Sequence, residues 1–205
     1  MGTPLNIMPT CAAIAAARDR HSPDAVLLGT MTAMHALDLL DVTRRRLDSV
    51  PLMGGAACMA LGLALARPDL PLIVIDGDAS LLMELGGLVT VASNRPRRFL
   101  HLLNRNDVQF NANINLPTPG SRAPCDFAAM ARDAGYDHAI CIDTQEALDA
   151  ALPGLMQRDG TTFVELRTVP EPPGAHAGKP QPMLPPYQFV RMRETMNALR
   201  AELAG

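Results

Sequence analysis

The chain has 205 residues, 48% of them apolar and 19% charged, with a net charge of −3 and a pI of about 5.9. That is enough apolar material for one compact core and too much for a disordered chain. Aromatics at 3% with no Trp exclude a platform of stacked rings for single-stranded nucleic acid, and no basic face is evident.

In chain order, residues 8–20 read as a helix and Ala25 to Leu28 as a buried strand. A helix over 31–41 follows, then Arg44-Arg45-Arg46, read as a solvated helix end or loop. Residues 54–66 form the next helix, with Cys58 as a small buried hydrophobe, and Leu72 to Ile75 the next strand. Ser80 stands where an N-cap belongs for a helix over 80–93, and the group Arg95, Arg97, Arg98 is again solvated. Phe99 to Leu103 is a strand. Residues 105–124, with four Asn and three Pro and no periodic apolar pattern, read as a long loop. Asp126 caps a helix over 126–134 that Gly135 closes, and His138 to Ile142 is a strand with Cys141 buried in it. Thr144 opens a helix over 144–157, and Thr162 to Leu166 is the last strand. Prolines from Pro170 to Pro186 make 169–186 an extended segment, before a final helix over about 187–203.

Near-continuous apolar strands separated by helices predict an α/β fold: a doubly wound, mostly parallel sheet with helices on both faces. The division expected is a domain over 1–168 followed by a Pro-rich extended segment and C-terminal helix over 169–205. The four cysteines form no C-x-x-C pair, which argues against a zinc site or disulfide framework and for a reducing compartment. No basic segment with an apolar core opens the chain, and no uninterrupted apolar run reaches about 18 residues. A cytoplasmic, soluble protein without membrane or nucleic-acid partners is expected.

The run Ile75-Asp76-Gly77-Asp78-Ala79-Ser80 ends a strand, turns and begins a helix. In a parallel sheet, ligands bind beyond the carboxyl ends of the strands, where a helix start suits phosphate. Asp78 in the same turn would repel phosphate unless a divalent cation lay between them. An ordinary strand-to-helix turn, in which the Asp merely caps the helix, fits the same residues. Asn104-Arg105-Asn106-Asp107 then brings amide and carboxylate oxygens to the end of the next strand. One Asp, one Asn and one backbone carbonyl would meet the share that Mg²⁺ takes from protein. No Gly-x-Gly-x-x-Gly follows the first strand, which disfavours a dinucleotide site.

The pattern Gly77-Asp78-Ala79-Ser80, a helix, a strand, then Asn104-Arg105-Asn106, with 28 positions from Asp78 to Asn106, resembles the thiamine-diphosphate signature. Met53-Gly54 with Ala60 to Ala64, Phe127-Ala128 with Gly135-Tyr136, and Gly174 with Gly178-Lys179-Pro180 extend the likeness from about Asp24 to Pro180. The chain looks like the diphosphate-binding (PP-type) half of the thiamine-diphosphate-dependent decarboxylases, as in the carboxy-terminal half of phosphonopyruvate decarboxylase or the β subunit of sulfopyruvate decarboxylase.

This resemblance implies thiamine diphosphate and Mg²⁺ as cofactors. Asp78 matches the Mg²⁺ carboxylate and Asn106 its amide, with Asn104 the fallback and the Val108 carbonyl the third ligand. Gly77, Ala79 and Ser80 match residues lining the diphosphate. Met53, followed by Gly54, matches the wedge under the cofactor, and Thr30 occupies a phosphate-facing position. The departures are Ala79 for a second Gly, Arg105 between the paired Asn, Pro51-Leu52 before Met53-Gly54, and Met31 where Gly is common. Lys179, His35 and Arg105 are candidate contacts for an anionic substrate tail. Glu84, Glu146 and Glu165 read as solvated helix or strand ends. The activating Glu is therefore expected on a pyrimidine-domain partner subunit, in a hetero-oligomer such as α₂β₂ or larger. The implied reaction is decarboxylation of a small 2-oxo acid. A degenerate assembly or regulatory subunit and a carboligase of the acetolactate-synthase type are the alternatives.

Overall fold

The computed structural model describes residues 2–49, 52–109, 116–117, 125–169 and 185–204; for 108–109, 116–117 and 185–189 only the backbone is described. Val50, Pro51, Gly174, Gly178, Lys179 and Pro180 lie outside these residues, as does most of 105–124. The order of elements is α1 (Ile7–His21), β1 (Val26–Gly29), α2 (Met31–Leu39), β2 (Arg46–Asp48), α3 (Ala56–Ala66), β3 (Leu72–Gly77), α4 (Asp78–Met83) and α5 (Gly87–Asn94). It continues with β4 (Arg98–Arg105), β5 (Val108–Gln109), β6 (Leu116–Pro117), α6 (Phe127–Ala134), β7 (His138–Ile142), α7 (Gln145–Gln157), β8 (Gly160–Arg167) and α8 (Pro185–Ala204).

Six strands form one parallel sheet in the order β2-β1-β3-β4-β8-β7, and β5 and β6 make a separate two-residue antiparallel ribbon. Because successive strand residues face opposite sides, the apolar runs feed two cores. Val26, Leu28, Val74, Leu103 and Phe163 pack with α3, α5 and α6. Leu27, Ile73, Ile75, Leu100, Leu102, Val164 and Leu166 pack on the other side with α1, α2 and α7. The doubly wound α/β expectation holds, and burial on both faces is why these strands carry no polar alternation.

Several local expectations need correction. The helix expected over 80–93 is two helices, because Glu84 leaves helical geometry (φ −136°, ψ 48°) and the Gly86-Gly87 pair follows. Its N-cap is Gly77, not Ser80, which lies inside α4. Asp126 and Thr144 do cap α6 and α7, accepting from Ala129 N–H (2.7 Å) and Ala147 N–H (3.4 Å), and Gly135 closes α6 in the left-handed region. Pro185 and Pro186, placed in the extended segment, open α8; a proline at the first helical position lacks only an N–H that would be unpaired anyway. Cys58 and Cys141 are exposed rather than buried, one facing outward from α3 and the other on the edge strand β7.

Strand β2 is absent from the sequence-based reading because it is three residues long and charged. Arg46, expected to be solvated, is buried: its guanidinium donates to both oxygens of Asp48 (2.9 and 3.2 Å) and to the Met34 carbonyl (2.9 Å). Arg191 of α8 binds Asp48 (2.6 Å) and Asp38, and Thr195 accepts from the Asp48 N–H (3.3 Å). Together with buried Leu199, these contacts lay α8 along the edge strand. Among the described residues no helix is long and apolar enough to cross a membrane.

Candidate functional site

The chain runs from β1 outward to β2, then crosses to β3 on the other side of β1. This reversal opens a crevice beyond the carboxyl ends of β1 and β3, where open parallel sheets bind ligands. Thr30 follows β1, Ser49 follows β2, Gly77-Asp78 closes β3, and Asn104 to Asn106 ends β4. The register Gly77↔Asn104 puts the two motifs side by side.

Asp78 is almost fully buried at the start of α4. Its Oδ1 accepts from the Ala79 N–H (2.8 Å) and its Oδ2 from the Asp107 N–H (2.7 Å), so the carboxylate clasps the end of β4 to the start of α4. Asp107 reaches this position with a φ of 57°, left-handed geometry that Asp tolerates better than most residues. Burial pushes the Asp78 carboxyl up to about 6; the N–H groups of Asp107 and Ala79 and the Arg105 charge oppose the shift, and the Asp107 charge adds to it. A carboxyl with a raised pKa keeps its proton in the folded chain where the unfolded chain has lost it. Stability of the metal-free chain is therefore expected to fall as pH rises from about 4 through about 6, by up to about 3 kcal/mol. Urea unfolding across that range would show the decline, and Asp78→Asn should flatten it.

Gly54, φ 84°, donates its N–H to Ser80 Oγ (2.8 Å), which binds the Met53-Gly54 loop to α4. A Cβ at Gly54 would stand 2.4 Å from Glu84 Cγ. Met53 is half-buried beside it. Gly77 differs: its φ of −119° suits any residue, and the nearest atom to an added Cβ is Ser80 Cβ at 4.0 Å. Its N–H is taken by Asp76 Oδ1 (2.8 Å). Thr30 is buried and its hydroxyl donates to the Ser49 carbonyl (3.1 Å), joining the ends of β1 and β2. Met31 begins α2 at φ 48°, the left-handed region in which glycine is favoured.

Asn104 and Asn106 are both buried, and Asn104 Oδ1 has no hydrogen-bond partner among the described residues. Residue 108 begins the β5–β6 ribbon. Arg105, between the two Asn, turns to the other side of the strand. It donates to Asp107 (3.0 Å), Glu165 (2.8 Å) and the Cys125 carbonyl (2.8 Å). Glu165 is not a solvated strand end: it is fully buried, bound by Arg105 and Arg167 (3.1 Å), and accepts from the Ala128 N–H (3.2 Å). Glu84 and Glu146 are exposed, the latter tied to Thr3. His35 is buried within α2.

Thr30, Gly54, Gly77, Asp78, Ser80, Asn104 and Asn106 thus gather at one end of the sheet. Sequence reasoning missed Asp76, whose carboxylate holds the Gly77 N–H, and the Arg105–Glu165 pair. Nothing local distinguishes a charge paired across strands from a solvated one.

Comparison with known proteins identifies the family of the fold. The family model described as the thiamine pyrophosphate enzyme C-terminal TPP binding domain matches residues 29–166. A phosphonopyruvate decarboxylase from Streptomyces hygroscopicus is 34% identical over 170 residues, which is 82% of this chain and 40% of that protein. A sulfopyruvate decarboxylase subunit beta from Methanocaldococcus jannaschii is 27% identical over 118 residues, 58% of this chain and 61% of that one. An X-ray structure of a candidate thiamin diphosphate-dependent enzyme from Mycobacterium smegmatis shares the fold, with a TM-score of 0.66 at 19% identity over 83% of this chain and 33% of that one. The chain thus spans about 40% of the length of the phosphonopyruvate decarboxylase it matches.

Proposed function

Because the chain belongs to the thiamine pyrophosphate enzymes, matching their C-terminal TPP-binding domain, we propose that it is the diphosphate- and Mg²⁺-holding subunit of an enzyme that decarboxylates a small 2-oxo acid. The observation that carries this reading is Gly77. Neither backbone conformation nor any neighbour requires glycine there, yet the space a side chain would enter is open up to Ser80 Cβ at 4.0 Å, at the start of the helix that Asp78 begins. A diphosphate needs such clearance to approach the backbone closely.

The remaining donors fit the group. Asp78, with Asn106 or Asn104 and the carbonyl of residue 108, would hold the cation, and Asn104 Oδ1, without a hydrogen-bond partner among the described residues, is an oxygen able to take one. Ser80 accepts from Gly54 and keeps its own O–H to donate to a phosphate oxygen. Met53, on the loop fixed by that same bond, would press on the cofactor from below. Thiamine diphosphate, when bound, supplies the electron sink for loss of CO₂ from a 2-oxo acid. This chain's part is to bind, orient and exclude water. Residues 1–168 form the cofactor domain in this reading, with α8 as its cover.

The activating Glu is assigned to a partner subunit carrying the pyrimidine domain, in an α₂β₂ or larger hetero-oligomer. Two observations support this. Glu165 and Glu146 are committed to Arg105, Arg167 and Thr3. Leu52, Met83, Leu85 and Val89 are all exposed, and of these Leu52 lies two residues before Gly54 while Met83 and Leu85 flank Glu84, against which Gly54 sits, as apolar residues awaiting a partner would. Phosphonopyruvate and sulfopyruvate, the compounds in the relatives' names, are the first substrates to assay.

The test is calorimetry with thiamine diphosphate and Mg²⁺, on the chain alone and on the complex with its co-expressed partner. Binding only in the complex is expected. Gly77→Ala should leave the melting temperature within about 2 °C of wild type, yet weaken cofactor binding at least tenfold by filling the clearance. Unchanged affinity in that variant would overturn the placement, and absence of binding to any wild-type sample would favour a non-catalytic assembly subunit.

A further inference from the structure

Beneath the Gly77-Asp78 turn lies a buried polar chain that the proposed function leaves unused. Asp76 is 1% exposed and His101 0%, with Tyr136 at 5%. Asp76 and His101 are diagonal neighbours on the α3–α5–α6 side of the sheet, since His101 pairs with Val74 and Asp76 with Leu103. Asp76 Oδ1 holds the Gly77 N–H at 2.8 Å. Among the described residues its Oδ2 is buried without a hydrogen bond and faces His101 Nε2, likewise without one, across 3.5 Å. The far nitrogen of the ring, Nδ1, lies 3.1 Å from the Tyr136 hydroxyl. Phe163 meets the His101 ring edge-on at 5.0 Å, and Phe99 and Tyr136 stand on its other sides. Burial, with the Asp76 charge adding to it, pushes the Tyr136 phenol far above its ordinary range, so it remains a neutral O–H.

These observations fix a direction of support. If Tyr136 donates to Nδ1, the ring proton sits on Nε2 and points at Asp76. Aromatic rings lock the imidazole, which cannot turn away. Gly77, with no side chain, is the residue least able to hold its own backbone conformation. It is also the residue whose clearance the proposed cofactor needs, so its peptide must be held from outside, and the Asp76 carboxylate does so. A carboxylate buried among Leu, Val and Phe needs a second donor to remain in place.

We propose that His101, backed by Tyr136, is a positioning residue for the diphosphate-binding turn, acting through Asp76 on the Gly77 peptide; this rests on the function proposed above. The test is the dissociation constant of thiamine diphosphate with Mg²⁺, measured by calorimetry on the complex with its partner, beside the melting temperature of the cofactor-free complex. His101→Leu is expected to weaken binding about tenfold or more, as loss of an outer support does at metal sites. His101→Gln, whose amide can still donate to Asp76, should recover most of that loss. Asp76→Asn should match His101→Leu, and the double variant should be no weaker than either single. Tyr136→Phe should fall between wild type and His101→Leu.

A His101→Leu complex that melts lower but binds like wild type would show a core residue with no positioning role. Additive losses in the double variant would refute action through Asp76. If the wild-type complex itself binds no thiamine diphosphate, the proposed function falls and this inference with it, whereas wild-type binding with unchanged variants overturns this inference alone.

Discussion

Asp78→Ala is expected to abolish Mg²⁺-dependent retention of thiamine diphosphate while leaving the fold intact. The carboxylate is the acidic ligand assigned to the cation at this turn, and loss of outer supports alone weakens metal sites about 10–100-fold. Loss of the ligand itself should cost at least about 100-fold in the affinity read by calorimetry. The stability side is closer to balance. The variant strands the N–H groups of Ala79 and Asp107, a loss of about 1–3 kcal/mol each if they stay dry. It also removes a buried charge whose raised pKa records an unfavourable environment. The two effects oppose, and both N–H groups lie at a helix start or strand end where water can replace the carboxylate. Circular dichroism should therefore show a wild-type spectrum with a melting point within several degrees. Wild-type cofactor affinity in a folded Asp78→Ala chain would remove Asp78 from the site.

Gly54→Ala carries the second large effect, with the opposite signature. At φ 84° a non-glycine residue costs about 1–2 kcal/mol, and the new Cβ would stand 2.4 and 2.6 Å from Glu84 Cγ and Cβ and 3.1 Å from the Ser80 carbonyl oxygen. Glu84 Cβ is not the free end of a flexible chain, so the backbone has to give, and overpacking of this kind costs about 1–3 kcal/mol more. A melting point lower by about 5–15 °C is expected for a chain of this length. The displaced loop carries Met53 and pulls on Ser80, so cofactor binding should fail along with stability. Gly77→Ala loses affinity alone. The contrast between two glycines 23 positions apart (77 − 54) separates a residue required by the chain from one required by its ligand.

Much of the fold was legible because it depends on patterns local to the sequence. Five of the six sheet strands are apolar runs, and caps such as Asp126, Gly135 and Thr144 depend on hydrogen bonds within four residues. What failed depends on partners far along the chain. Strand β2 is charged because Arg46 and Asp48 neutralise each other inside the fold, helped by Arg191 from 143 positions away. Glu165 looked solvated because its counter-charge, Arg105, lies 60 positions away on the neighbouring strand. The same pair explains how an arginine can stand between Asn104 and Asn106: strand alternation sends it to the opposite side from the Asn104 side chain. Ser80 was misread as a cap because its partner, the Gly54 N–H, is 26 residues earlier. Thr30, Gly77, Asp78, Asn104 and Asn106 lie at one edge because each stands at or just past the carboxyl end of a strand of the parallel sheet, and the Gly54–Ser80 hydrogen bond ties the Met53 loop to the same turn.

The docking of α8 along β2 bears on the order in which the molecule is made. The central pairings β1–β3, β3–β4 and β4–β8 need no residue beyond Arg167. The edge strand, in contrast, presents Asp48 to Arg191 and Thr195, which a ribosome adds 143 and 147 residues later. Until then β2 is a short, bare strand edge holding a buried carboxylate without its second cation, a state open to wrong pairings. Since β2 leads directly into the loop bearing Met53 and Gly54, the site end of the nascent domain should be the last to settle. Emergence of α8, rather than synthesis of the signature residues, would set the moment at which the site becomes competent to bind.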